Sequence, residues 1–425
     1  MARANSRDRD LRERAAAVIP GGMYGHQSTG LLPDDYPQFF ERGEGAHIWD
    51  ADGTRYLDFM CAYGPNLFGY ANPGIDAAFV RQLERGDTLT GPTGLMVELA
   101  EALTGMVSHA DWAIFCKNGT DATTMALTTA RAHTKRRKVI RAQGAYHGAL
   151  PWCTPRPSGV IETDRAHQIF CDYNDVASLE AAAAEAGDDL AAIFAAPFRH
   201  DAFIDQAEPD PAYAAAARAI CDRTGALLVV DEVRAGFRLS RDCSWSRIGV
   251  EPDLSTWGKC LANGHPLSAM LGNDKARKAA AAIYVTGSFW YQAATMAAAL
   301  ETLRLIRETD YLERITSLGE TLRSGLHARA QAAGFGLRQT GPSVMPLFLF
   351  DDDPDLRKGF CFGSEMLARG VYIHPWHNMF LCAAMTEADI TGALDAAEAA
   401  FAALKRQAPG LGPVEKLAFL SAGAR

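Results

Sequence analysis

The segment from Ala226 to Gly272 holds the residue types best suited to chemistry. Leu227-Leu228-Val229-Val230 is a short apolar run that stops at Asp231-Glu232, the pattern of a strand covered on both faces. In an open α/β sheet, ligands gather at the carboxyl ends of strands, so Asp231 is expected beside a bound molecule. Lys259 follows in Trp257-Gly258-Lys259-Cys260-Leu261-Ala262 and is the only lysine between residues 232 and 272. A lysine withdrawn from water loses its preference for the charged form and becomes a nucleophile that condenses with aldehydes. An acid facing a pyridinium nitrogen and a lysine joined to an aldehyde are the two handles that pyridoxal phosphate requires. Each residue alone also has a plain reading, Asp231 as a turn or cap and Lys259 as a solvated surface residue.

Further residues extend the pattern. Trp112-Ala113-Ile114-Phe115-Cys116 reads as a strand, followed by Lys117-Asn118-Gly119-Thr120-Asp121 and a helical stretch over 122–133. Strand, glycine turn and helix start make an anion site, because unpaired N–H groups and the helix dipole converge there. A helix capped by Asn118 or Thr120 fits the same residues. The next strand candidate, at 139–141, leads into Gly144-Ala145-Tyr146-His147-Gly148.

In this order and wording, the motifs resemble the class III aminotransferases of pyridoxal phosphate fold type I, particularly the glutamate-1-semialdehyde aminomutase-like branch. The resemblance runs from about Pro20 to Thr386. It implies a cofactor of pyridoxal 5'-phosphate, joined to Lys259 as a Schiff base with Asp231 on the ring nitrogen. Gly119 and Thr120 match the phosphate cup, with Asp121 in place of a usual Glu. Tyr146 matches the aromatic that stacks on the ring, with His147 beside it, and Val233 matches the apolar residue on the opposite ring face. Ser288, in Gly287-Ser288-Phe289-Trp290-Tyr291, matches a hydroxyl that reaches the neighbouring subunit's phosphate, which implies a homodimer with shared sites.

The implied catalytic set is therefore Lys259, Asp231 and Tyr146. The implied activity is transfer of an amino group between an amino acid or amine and a keto acid or aldehyde. The same parts would serve an aminomutase, an epimerase or a decarboxylase, and a non-catalytic cofactor-binding protein is a further alternative.

The substrate side departs from the family. Ala196 precedes Pro197 where an acid is usual, and Ser28 stands where that branch commonly has a carboxylate-binding arginine. Arg199 and Arg234 are unusual instead, and a planar guanidinium at either position would suit a carboxylate. Each has the alternative of pairing with a protein acid, Asp201 or Glu232. His377, in the atypical loop Pro375 to Phe380, is a third candidate for substrate contact. No metal site is expected, because Pro375 interrupts the spacing of His374 and His377 and no third ligand is evident.

The chain that must position these residues has 425 residues, 48% of them hydrophobic and 22% charged, and a formal charge of −9. These values suit a globular protein and argue against nucleic acid as a partner. The run Lys135-Arg136-Arg137-Lys138 reads as a helix end. No apolar run approaches a membrane span, and nine scattered cysteines without a Cys-x-x-Cys pair suit a cytoplasmic protein.

The expected fold is α/β: a large domain with a mixed, mostly parallel sheet, and a small α+β domain. Residues 1–60 would pack with the small domain, 61–310 would form the cofactor domain and 311–425 the small domain. Residues 1–19 read as an exposed amphipathic helix and 181–184 as part of another exposed helix. Short strand-like runs flanking Asp52-Gly53 read as a hairpin, and long helices are expected over 293–307 and 312–330.

Overall fold

A computed structural model describes residues 6–419 of the chain. The first five and last six residues of the expected N-terminal and small domains lie outside the described residues.

Strands β1 (Phe40–Glu44), β2 (His47–Asp50) and β3 (Arg55–Asp58) form an antiparallel meander. The expected turn is present: Asp50 Oδ1 accepts from the amides of Asp52 and Thr54 at 3.1 and 2.8 Å, and Gly53 takes φ +80°, which glycine adopts without strain.

Seven strands follow: β4 (Trp112–Cys116), β5 (Lys138–Ala142), β6 (Gln168–Cys171), β7 (Leu190–Ala195), β8 (Leu227–Asp231), β9 (Leu254–Trp257) and β10 (Ser268–Gly272). They form one sheet in the order β4-β10-β9-β8-β7-β5-β6. Only β10 runs against its neighbours, β4 and β9, and the remaining pairs are parallel. Two reversals leave β4 pointing the same way as β9, β8, β7 and β5. The loops after these five strands therefore leave the sheet at one edge, and they carry Gly119-Thr120, Tyr146-His147, Arg199-His200, Asp231 to Arg234 and Lys259.

Every residue of β7, β8, β9 and β10 is buried. That explains the unbroken apolar sequence of β7 and of β8 up to Asp231, since both faces are covered; β9 and β10 bury Ser255, Thr256 and Ser268 as well. Each fully buried Leu, Ile or Val in them contributes roughly 1.5–3 kcal/mol.

Strands β11 (Leu337–Thr340) and β12 (Leu347–Phe350) pair with each other. Strand β13 (Val371–Tyr372) lies parallel to β3, with Val371 opposite Leu57 and Tyr372 opposite Asp58. The N-terminal meander and the C-terminal part of the chain thus share a sheet.

One expectation is corrected. The helix Val176–Ala186 is not an exposed one, because Leu179, Ala182, Ala183 and Ala186 are buried; the neighbouring helix Pro211–Thr224 packs against it. The helix Ser6–Val18 is largely exposed, as expected, and is docked on one side through polar groups. Asp8 is buried there and accepts from the amides of Gln38 and Phe39, each at 2.9 Å.

Candidate active site

Asp231 ends β8 and is nearly enclosed, with 8% exposure. Its Oδ2 lies 2.7 Å from His147 Nδ1, while Oδ1 accepts from Thr256 Oγ1 at 2.8 Å and from the Val233 amide at 3.2 Å. Thr256 reaches it because the parallel register sets Asp231 opposite Thr256 on β9. These bonds fix the carboxylate while leaving Oδ2 a lone pair for a further donor.

His147 is held in turn. Its carbonyl accepts from Thr123 Oγ1 at 2.7 Å, and the Ala149 amide donates to Thr120 Oγ1 at 3.2 Å. The loop after β5 is thereby tied to the first turn of the helix Gly119–Thr134.

Of the two sequence candidates for the N-cap, Asn118 takes the role. Its side chain accepts from the Asp121 amide at 3.0 Å, and Asp121 Oδ2 accepts from the Asn118 amide at 3.3 Å, a reciprocal capping box. The amides of Gly119 and Thr120 have no intrahelical partner and open onto the sheet edge. Gly119 must be glycine, since a Cβ there would stand 2.6 Å from Val233 Cγ1.

Lys259 follows β9, with φ +42°. It is half-buried, and no carboxylate pairs with its ammonium among the described residues. Burial first, and then the Arg234 guanidinium, push its pKa down to about 8, against an opposing pull from Asp231. Lys259 thus gives up its proton far more readily than an ordinary lysine, as nucleophilic and proton-transfer work require.

Of the two unusual arginines, Arg199 donates from Nη2 to the Asp205 carbonyl at 2.9 Å, and its backbone bridges to Ala207. The alternative of pairing with an acid does not hold for Arg234. Glu232 instead accepts from the Ser244 amide, Ser244 Oγ and Cys243 Sγ at 2.6, 2.7 and 3.2 Å. Arg234 Nη1 donates to Asn378 Oδ1 and lies 3.2 Å from His377 Nε2.

Tyr146 keeps 39% exposure. Ser288 is exposed, on a segment that also shows Tyr284 at 91% and Phe289 at 57% exposure.

Thr256, Asn378, His26 and Tyr63 escaped the sequence reading as functional positions. Tyr63 closes a run of three non-glycine residues in the left-handed region, with φ of 46°, 55° and 64° at Cys61, Ala62 and Tyr63, which is costly backbone. The run sets the Tyr63 ring 4.6 Å from His26 and 5.4 Å from His377. Nothing in the sequence signals it beyond the glycine that follows, whereas the β8–β9 register would have pointed to Thr256.

A lysine with a lowered pKa, a carboxylate fixed from behind by an imidazole and a helix start share one sheet edge. These are the donors that pyridoxal phosphate needs for its aldehyde, ring nitrogen and phosphate, and the fold is that of the fold type I transferases. The family model for class III aminotransferases matches residues 32–386. The chain is 57% identical, over 96% of its length and 97% of the relative's, to an aminopentol aminotransferase of Sphingopyxis macrogoltabida. It is 31% identical to a glutamate-1-semialdehyde 2,1-aminomutase of Nitrosospira multiformis, over 93% and 99% of the two chains. Among solved structures, the FumI protein of Sphingopyxis sp. MTA144 in its PLP internal aldimine form superposes with a TM-score of 0.96, at 57% identity, covering 97% of this chain and all of that one. The chain belongs to the class III aminotransferase family and is a pyridoxal-phosphate-dependent aminotransferase. Among the described residues, no helix is long and apolar enough to cross a membrane.

Proposed function

We propose that the loops at the carboxyl edge of the sheet form one transamination site centred on Lys259. The observation that carries this is the placement of Asp231 and Lys259 after adjacent parallel strands, β8 and β9, with the open helix start at Gly119 on the same edge. Bound pyridoxal phosphate supplies an electron-accepting ring that stabilises charge on the substrate carbon and takes up or returns the amino group.

In this reading Asp231 Oδ2 would hold a proton at the ring nitrogen, and His147 on that oxygen and Thr256 on Oδ1 keep the carboxylate aimed. The amides of Gly119 and Thr120 would bind the phosphate with help from the helix dipole. Tyr146 and Val233 would flank the ring and hold it flat. Lys259 Nζ would hold the cofactor's aldehyde and, as a free amine, would move the proton taken from the substrate carbon.

The amino donor we propose is a primary amine on a hydroxylated carbon chain, as the name of the 57% identical relative suggests. The uncharged rings of His26, His200 and His377, together with the Tyr63 hydroxyl, offer such a chain hydrogen-bonding groups without charge. A keto acid is the acceptor. Absorbance titration of the holoenzyme with hydroxylated amines tests this: conversion to the pyridoxamine form is expected, and a spectrum unchanged by every amine would refute transamination of this class.

We also propose a homodimer with shared sites, supported by exposed Tyr284 and Phe289 on either side of Ser288, and a cytoplasmic location, supported by the cysteine pattern. The division into segments 1–60, 61–310 and 311–425 is proposed on the same footing, supported by the pairing of β3 with β13.

A further inference from the structure

Arg234 stands three residues beyond Asp231 and has no ion pair among the described residues. Its Nη1 is held from one side by Asn378, a buried residue whose Nδ2 is fixed on the Met379 carbonyl at 3.0 Å. Nε and Nη2 donate to no protein acceptor among the described residues. One edge of the guanidinium is thus clamped, and donors of the rest of the fork remain for a ligand.

No carboxylate forms an ion pair with the guanidinium among the described residues. His26, His200 and His377 all feel the guanidinium, and burial is the first cause that keeps each imidazole uncharged at neutral pH, His26 with a pKa of about 4. Asp231 and Asp201 act on Arg234 through space. Asp231, however, is occupied by His147, Thr256 and the Val233 amide, and Asp201 makes no ion pair with it among the described residues. The Arg234 guanidinium also lowers the pKa of Lys259 through space, and the two residues leave the sheet at the same edge, after the adjacent parallel strands β8 and β9. Arg199 is turned instead to the Asp205 carbonyl, to which its Nη2 donates at 2.9 Å. A partly desolvated guanidinium without an anion is costly, and a ligand carboxylate would relieve that cost with bidentate geometry.

We infer that Arg234 is the carboxylate anchor of this site, binding the keto acid acceptor while Asn378 and His377 fix the guanidinium. This rests on the reading of the pocket as a transamination site. An amine donor without a carboxylate makes no use of the fork, so the two halves of the reaction depend on Arg234 to different degrees.

The test is a binding measurement on the holoenzyme with two unreactive probes, propanoate and its neutral isostere propanamide, by titration calorimetry. Propanoate is expected to bind the wild-type protein and to weaken by roughly 10- to 100-fold in Arg234→Met, the loss of a charge-assisted hydrogen bond. Arg234→Lys should fall between the two, and propanamide should bind all three proteins alike. Propanoate binding that survives Arg234→Met, that is lost instead in Arg199→Met, or that is absent from the wild-type protein overturns the inference. If Arg234→Met does not fold, Asn378→Ala serves, since freeing the clamped guanidinium should weaken propanoate and leave propanamide unchanged; equal binding of propanoate to that variant counts against the anchor. Amine titration of the wild-type holoenzyme separates the two proposals: a failed amine conversion removes the transamination reading, whereas amine conversion with propanoate indifferent to Arg234 removes only the anchor.

Discussion

His147 Nδ1 lies 2.7 Å from Asp231 Oδ2, and both side chains are buried. The contact joins the loop after β5 to the end of β8 and makes His147 a positioning residue for the carboxylate. Asp231→Asn replaces an acceptor by an amide that cannot hold the ring proton, and kcat/KM should fall by roughly 100- to 10,000-fold. His147→Ala removes one of the bonds that aim Asp231 and should cost about 10-fold. Steady-state kinetics on both variants check the order. Equal losses would mean that His147 does more than position its neighbour.

Lys259 should titrate near pH 8 in the cofactor-free protein. The pH dependence of its acylation rate, followed by peptide mapping, measures this. Arg234→Met should raise the value, because the guanidinium is the second cause favouring the neutral amine. The folded value lies below the ordinary 10.5, so the unfolded chain binds more protons between the two values. This group's contribution to the stability of the cofactor-free protein should therefore rise as pH goes from about 8 to 10.5. A value unmoved by Arg234→Met would contradict the proximity of the two charges.

Burial pushes Glu232 up to about 7, against the hydrogen bonds from Ser244 and Cys243. The folded protein keeps a proton that the unfolded chain releases near 4.5, so this group's contribution to stability should fall as pH rises from about 4.5 to 7. Glu232→Gln should flatten that slope in denaturant titrations at several pH values. Glu232→Ala leaves buried donors unpaired and should destabilise by about 3 kcal/mol. A slope unchanged in Glu232→Gln would assign the effect to another group.

The parts of the site that depend on chain-local patterns were legible in the sequence. The run Leu227 to Val230 stops where β8 stops, the glycine turn at Gly119 opens a helix, and the Asp52-Gly53 turn makes a hairpin. Strand direction was not legible, because a buried apolar strand reads alike either way. The antiparallel setting of β10 decides that β4 delivers Gly119 to the same edge as Lys259. Contacts such as Arg234 with Asn378, 144 positions apart, have no local signature. The alanines of the helix Val176–Ala186 misled for a related reason, since a small side chain reads as exposed until a neighbouring helix covers it.

The segment around Ser288 bears on assembly. Tyr284→Asp with Phe289→Asp puts two charges on a surface that a homodimer would cover, and like charges facing across a two-fold axis repel. Sedimentation equilibrium should show a dimer for the wild-type protein and a shift toward monomer for the double variant. A wild-type monomer with full activity would contradict shared sites.

The attachment point of the cofactor can be read directly. Borohydride reduction of the holoenzyme, proteolysis and mass mapping of the modified peptide are expected to place the cofactor on Lys259, with none trapped in Lys259→Ala. The nearest competitor is Lys117, whose pKa burial also lowers to about 8 but whose Nζ donates to the Pro266 carbonyl at 3.1 Å and to Thr295 Oγ1 at 3.2 Å. Cofactor recovered on Lys117, or on any lysine other than Lys259, would contradict the assignment of the site.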